Sequence, residues 1–283
     1  MEALTLFHQN FAVAESLVQL YQLFHGLDRC DLSKDLHLAI CGHWRVPSNT
    51  IIQHASNDHV SVLARSTTRI PESLTIDGGL DFLLRQAVVV ACTCIESFFW
   101  DALREHVLTI IKARRSGADE MLRNITLKLG DYISIQQYED PDLRLRQIIL
   151  NNFERGTLYD TGSIDRITQI MTVKDFWVEV QKICGEDAAH LKRLVSDLIS
   201  RRNQIAHRAD RPVDGEEADG HGLRPINLPW TNMRVQAAKT VVTGGAEVVQ
   251  AAIRRLDADI HAAHEQEEAR RLARQAAVME NRG

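Results

Sequence analysis

Between Leu80 and Lys112 lies a segment whose first half, LLRQAVVVACTCIESFFW, is apolar almost all round. A helix with that composition must be covered on every side, so it predicts the central helix of a bundle. The rest of the chain has to supply its neighbours. Apolar positions fall at helical spacing over residues 3–25 (ALTLFHQNFAVAESLVQLYQLFH). Short helices are expected near 31–41 and 50–65, and RIPESLTIDGG (69–79) reads as a loop. Further helices are expected at 118–132, 141–154, 163–182 (broken near Met171–Thr172) and 187–207. The 15 glycines and 6 prolines concentrate between these segments. RPVDGEEADGHGLRPINLP then forms an acidic loop. From 231 to about 278 a last helix is expected, on which Val249, Ile253, Leu256, Ile260 and Ala263 step by four and three. No strand pattern and no internal repeat stand out. The expected fold class is all-α, an up-and-down helical bundle. Residues 1–75 form an N-terminal helical extension, 76–265 the bundle with its acidic loop at 208–229, and 266–283 a polar helical tail.

The charge balance bounds the function. With 33 Lys and Arg against 38 Asp and Glu, the net charge of -5 argues against a coat of positive charge that binds nucleic acid everywhere, though it allows one local basic site. The five cysteines (30, 41, 92, 94 and 184) include no CxxC pair, and Cys92 and Cys94 sit in the apolar run, so reduced thiols are expected rather than a disulfide framework or a zinc site. The histidines at 37 and 43, 54 and 59, and 261 and 264 lack Cys, Asp or Glu companions at ligand spacing, so no metal site is expected. Trp44, Trp100, Trp177 and Trp230 read as core or interface anchors, because no basic aromatic strip surrounds them. MEALTLFHQNFAVAE has no basic leader or cleavage pattern, and the greasiest run, Ala87 to Ile95, is too short to span a bilayer. A soluble, cytoplasmic protein is expected, with no membrane partner.

The residues that carry chemistry lie in LISRRNQIAHRADRP, 198–212. On a helix, Leu191, Val195, Leu198, Arg202 and Ile205 form one stripe, so a guanidinium stands in the apolar seam. Its charge cannot be shed, and stranding it there without a partner would cost several kcal/mol. The neighbouring stripe, Ser196, Ser200, Asn203 and His207, is polar throughout. Arg202 and His207 are five residues apart and point about 140° apart on an ideal helix. Either the helix end bends, or a second copy supplies the missing half across a two-fold axis. From His190 to Arg211, six Lys and Arg face only Asp197 and Asp210, a local basic balance suited to a polyanion.

RRNQIAH resembles the R-[polar]-x3-H signature of the HEPN superfamily, and the group it is most similar to is the RiboL-PSP-like one. AVVVACTCIESFFWDAL resembles that superfamily's early core helix, which frequently carries a Glu where Glu96 stands. The resemblance spans roughly residues 78–263 and leaves the first 75 residues and the acidic loop unaccounted for. It implies a compact helical bundle that pairs as a homodimer around an RNA-cutting cleft, with no cofactor and no metal. Arg202 and His207 would then be catalytic and Asn203 would orient or bind phosphate. Arg201 and Arg208 would attract the RNA backbone. Glu96 either supports the site, by pairing with Arg202 or lining the cleft, or makes an ordinary structural ion pair at the core edge.

Those residue types suit metal-independent cleavage. A histidine titrating near neutrality can take the ribose 2′-OH proton, and a guanidinium fork can hold the non-bridging oxygens as charge builds at phosphorus. The resemblance also implies a biological setting, a toxin–antitoxin pair or phage defence, with an antitoxin or sensing protein as partner. The alternative reading is a non-catalytic dimerising module that binds a nucleotide or a protein partner. Gly-rich phosphate loops and GxSxG are absent from the sequence, which leaves NTPase and α/β-hydrolase chemistry without a motif.

Overall fold

The computed structural model describes residues 1–65, 67–113, 128–153 and 160–280, with the side chains of 152–153 and 275–280 left aside. Among the described residues the chain is all-α apart from one small sheet: α1 (Glu2–Phe24), β1 (Asp28–Arg29), α2 (Lys34–Trp44), β2 (Ile52–Ser56), β3 (Ser61–Arg65), α3 (Asp81–Lys112), α4 (Leu129–Gln137), α5 (Pro141–Phe153), α6 (Thr161–Ile170), α7 (Phe176–Cys184), α8 (Ala188–Arg208) and α9 (Leu228–Glu280). The segment 69–79 is a loop with a single 3-10 turn at Glu72–Leu74. The break expected near Met171–Thr172 separates α6 from α7, with Thr172 left-handed at φ 63°. Most of the helix expected at 118–132 lies outside the described residues.

The chain forms two compact units. One takes Met1–Gln9 with the described residues of Thr93–Ile199 and Ala237–Gly283, the other Asn10–Cys92 with Ser200–Gln236. In the first unit, α3 buries Ile95, Phe98, Phe99, Leu103, Val107 and Ile110. Edge-to-face ring contacts run from Phe7 to Phe98, on to Phe99, to Phe176 and to Trp177, with centroids 5.1–6.1 Å apart. The faces that meet there follow from the helical period: α8 buries Leu191, Leu194, Val195, Leu198 and Ile199. Gly245 of α9 lies so close to α7 that a β-carbon would stand 2.9 Å from the Phe176 ring. Its missing side chain is what lets the helix approach. By length and composition α3 could cross a membrane, but 56% of its most apolar window is buried inside the protein, as a core helix would be.

Helix ends are set locally. Asp160 caps α6, accepting from both the backbone N–H and the hydroxyl of Ser163 at 2.8 Å. Those bonds hold its carboxyl below the usual range. A depressed folded-state pKa stabilises above the unfolded value and stops doing so as pH falls through the folded one. Asp160→Ala is therefore expected to lower stability by about 1 kcal/mol at neutral pH. In urea titrations that difference should shrink as the pH is taken below about 3.8. A pH-independent difference would remove the charge from this account.

The expectation of a helix at 50–65 and of no strands is corrected by the second unit. There β1, β2 and β3 form an antiparallel sheet in that order, with Ile52 opposite Arg65 and Ser56 opposite Ser61. The period in IQHAS and SVLAR is two. Ala55, Val62 and Ala64 turn to one face and pack with Leu27 and Ile70, while His54, Ser56 and Ser61 turn away. Asn57 builds the turn: its Oδ1 accepts from the N–H groups of His59 and Val60, and its Nδ2 donates to the carbonyls of Leu23 and His25. Short strands with a small apolar face leave a weak signal, and Asn57's anchoring to the end of α1 is long-range.

The cysteines divide by exposure. Cys41, Cys92 and Cys94 are buried, Cys184 is half-buried and Cys30 is exposed, with His54 Nδ1 and Ser56 Oγ each 3.1 Å from its sulfur. Burial pushes the Cys94 thiol up to about 11. Alkylation of the native protein at pH 8 should label Cys30 first and leave Cys94 unlabelled until denaturant is added, as peptide mass spectrometry would read.

Candidate functional site

The stripe on α8 behaves as its spacing predicts. Leu191, Val195 and Leu198 are fully buried, then Arg202 and Ile205 are half-buried as the seam opens. Asn203 is half-buried, while His207 and Arg208 are exposed in the last turn, where the helix dipole favours positive charge. The helix is unbroken through Arg208. Asn203 and His207 are therefore neighbours on one face, and Arg202 keeps its offset of about 140° from His207. No break interrupts the helix within the motif. Glu96 is half-buried and belongs to the other compact unit.

Arg201, expected to attract RNA, has a different place. Its guanidinium donates to Asp210 Oδ2 at 2.8 Å and to the carbonyls of Arg224 at 2.8 Å and Pro225 at 3.1 Å, and its side chain is 11% exposed. Trp230 covers it from 5.9 Å, with Arg234 over the same ring at 4.2 Å. Burial lowers the pKa of Arg201, and the Asp210 carboxylate works against that shift. An arginine so held has its Nη2 committed to partners within the protein, beside the RNA-attracting role expected of it.

Asp210 is the residue the sequence reading missed. Its side chain is 2% exposed, and the same Oδ2 accepts from Arg85 Nε at 2.7 Å. Arg85 also donates to Asp219 Oδ2 at 2.8 Å and to the Arg224 carbonyl at 2.9 Å. Burial would raise the Asp219 carboxyl, but the N–H groups of Leu223 and His221 and the Arg85 guanidinium outweigh it and leave it below its usual value. The acidic loop is thereby folded back as a strap, with Glu216 accepting from Arg224 at 2.7 Å, and Asn227 capping α9 through the Trp230 N–H. One signal was available. Arg85 stands in the apolar run FLLRQAVVV, where a buried guanidinium requires a carboxylate.

An α-helical bundle with an R-x4-H sequence closing a late helix defines the HEPN class. The profile of the RiboL-PSP-HEPN family matches residues 64–219, more than half of the 283-residue chain. The chain belongs to the RiboL-PSP-HEPN family. The matched span holds Arg85, the whole 201–208 segment, Asp210 and Asp219; it begins earlier than the resemblance read from the motif and ends before α9. No curated protein and no solved structure matches the chain. Membership points to a ribonuclease-type or nucleotide-binding module.

Proposed function

We propose that the protein is a metal-independent endoribonuclease, working as a cytoplasmic homodimer whose cleft is shared between two copies of α8. The observation that carries this is the unbroken end of α8, which presents His207 to solvent beside Asn203 while Arg202 sits round the helix, half-buried. One straight helix cannot bring Arg202 and His207 to the same phosphate, whereas an isologous pair of helices can. His207 takes the 2′-OH proton and returns one to the leaving 5′-oxygen. Arg202 neutralises the charge that builds on the non-bridging oxygens, and Asn203 holds the phosphate or the imidazole. Arg208 is exposed and supplies attraction to the backbone.

The family's frequent setting supports a role as a toxin or a phage-defence effector, restrained by an antitoxin or sensing protein. The test is incubation of the full chain with mixed single-stranded and structured RNA in excess EDTA, beside His207→Ala. The parent should cut, and the variant should be slower by about 10²–10⁴-fold. Equal rates for the two proteins, or an intact, nucleic-acid-free dimer that leaves every RNA whole, would transfer the reading to a dimerising module that binds without cutting.

A further inference from the structure

We propose that Asp210 is the positioning residue of this site, with Arg85 and Arg201 as its buried anchors. The proposal rests on the ribonuclease reading of Arg202 and His207, and it extends the working motif three residues beyond His207.

Two features of Asp210 tie it to the motif. Its carboxylate holds Arg201, the residue before Arg202. Its backbone N–H donates to the carbonyl of Gln204 at 3.2 Å, one turn ahead of Arg208. The helix end is thus tied to Asp210 at Arg201, beside the segment carrying Arg202, Asn203 and His207, and at Gln204, within it. The chain adopts an unfavourable backbone to make this closure. Ala209 and Asp210 are both left-handed, at φ 51° and 57°, a region that non-glycine residues leave unless their surroundings hold them there. What holds them is visible: Arg85 and Arg201 on the carboxylate, Gln204 on the N–H, and the Arg224 N–H on the Asp210 carbonyl at 2.9 Å. A helix could have been ended by glycine at no such penalty. Here the stop is enforced by a carboxylate anchored on α3 through Arg85, so the position of His207 is fixed by α3 as well as by α8.

The same geometry separates the two neighbouring arginines. Arg201 faces inward to Asp210, and Arg202 keeps the place of the phosphate-binding group. An arginine that contacts phosphate contributes to binding and to its salt dependence, whereas a positioning arginine contributes to the rate of the bound complex.

The experiment uses the full chain as Asp210→Asn and Arg201→Gln, with Asp160→Ala as a variant weakened outside the compact unit that carries the motif. RNA cleavage is measured at several salt concentrations, and amide hydrogen exchange is followed by mass spectrometry on peptides covering 200–210. Asp210→Asn should lower kcat about tenfold or more with KM little changed. Arg201→Gln should lower kcat and leave the salt slope of KM as in the parent. Both should exchange faster over 200–210 than the weakened control does, and Asp160→Ala should keep the parent's kcat. A parental kcat in a folded Asp210→Asn protein would overturn the proposal. So would a salt slope for Arg201→Gln reduced by about one, the mark of a lost phosphate contact. If Asp210→Asn does not fold, Arg201→Gln carries the same kinetic test, since Arg85 still holds Asp210. If the parent cuts no RNA, the ribonuclease reading falls, and the exchange data alone decide whether Asp210 fixes the helix end: protection lost locally supports it, protection unchanged sinks it.

Discussion

Asp210→Ala should lower the free energy of unfolding by about 3–5 kcal/mol, a loss that urea titration of the full chain would measure. The reason is the company the carboxylate keeps. Arg85 and Arg201 are about nine-tenths covered, and both donate to the same oxygen of Asp210. Removing it leaves two guanidiniums facing each other in a poorly solvated place, and neither can shed its charge. Asp219 stays with Arg85, but Arg201 is left with two carbonyls and the Trp230 ring, and no carboxylate. A surface ion pair of the same length, such as Lys112–Asp142 with both side chains more than half exposed, should cost under about 1 kcal/mol when broken. A loss at Asp210 no larger than that would mean the network is solvated and anchors nothing.

The second large effect is a gain on mixing. Arg202→Ala and His207→Ala are each expected to cut RNA at least about 10²-fold more slowly than the parent. If each cleft takes Arg202 from one protomer and His207 from its partner, a mixed dimer of the two variants rebuilds one intact cleft. Equimolar mixing with subunit exchange should then restore roughly a quarter of parental activity, by the statistics of random pairing. Mixed dimers that stay inactive would place both groups on one chain and remove the geometric argument for a shared site.

How far the sequence could be read follows from how local each signal is. The apolar run of α3 and the alternation of threes and fours in α8 specify buried helices within one or two turns, and both were legible. Arg202 in the seam was legible for the same reason. The sheet was not, because five-residue strands whose core face carries one buried alanine and the half-buried Val62 and Ala64 scarcely depart from a short helix's pattern. Asp210 was hidden differently. In ADRP it reads as a turn residue, and its partner Arg85 lies 125 positions away. Nothing local separates a buried carboxylate from a solvated one. Arg201 and Arg202 are likewise adjacent and identical in type, and only the strap that returns Arg224 and Pro225 to this place shows which partners Arg201 meets.

The central claim is that α8 ends in a site that cleaves RNA by attack of its own 2′-OH. The most direct measurement is the chemistry of the ends left on RNA cut by the purified parent in excess EDTA. Ends of 2′,3′-cyclic phosphate and 5′-hydroxyl, absent with His207→Ala, are the predicted result. Ends of 3′-hydroxyl and 5′-phosphate, which require an attacking water, would contradict it.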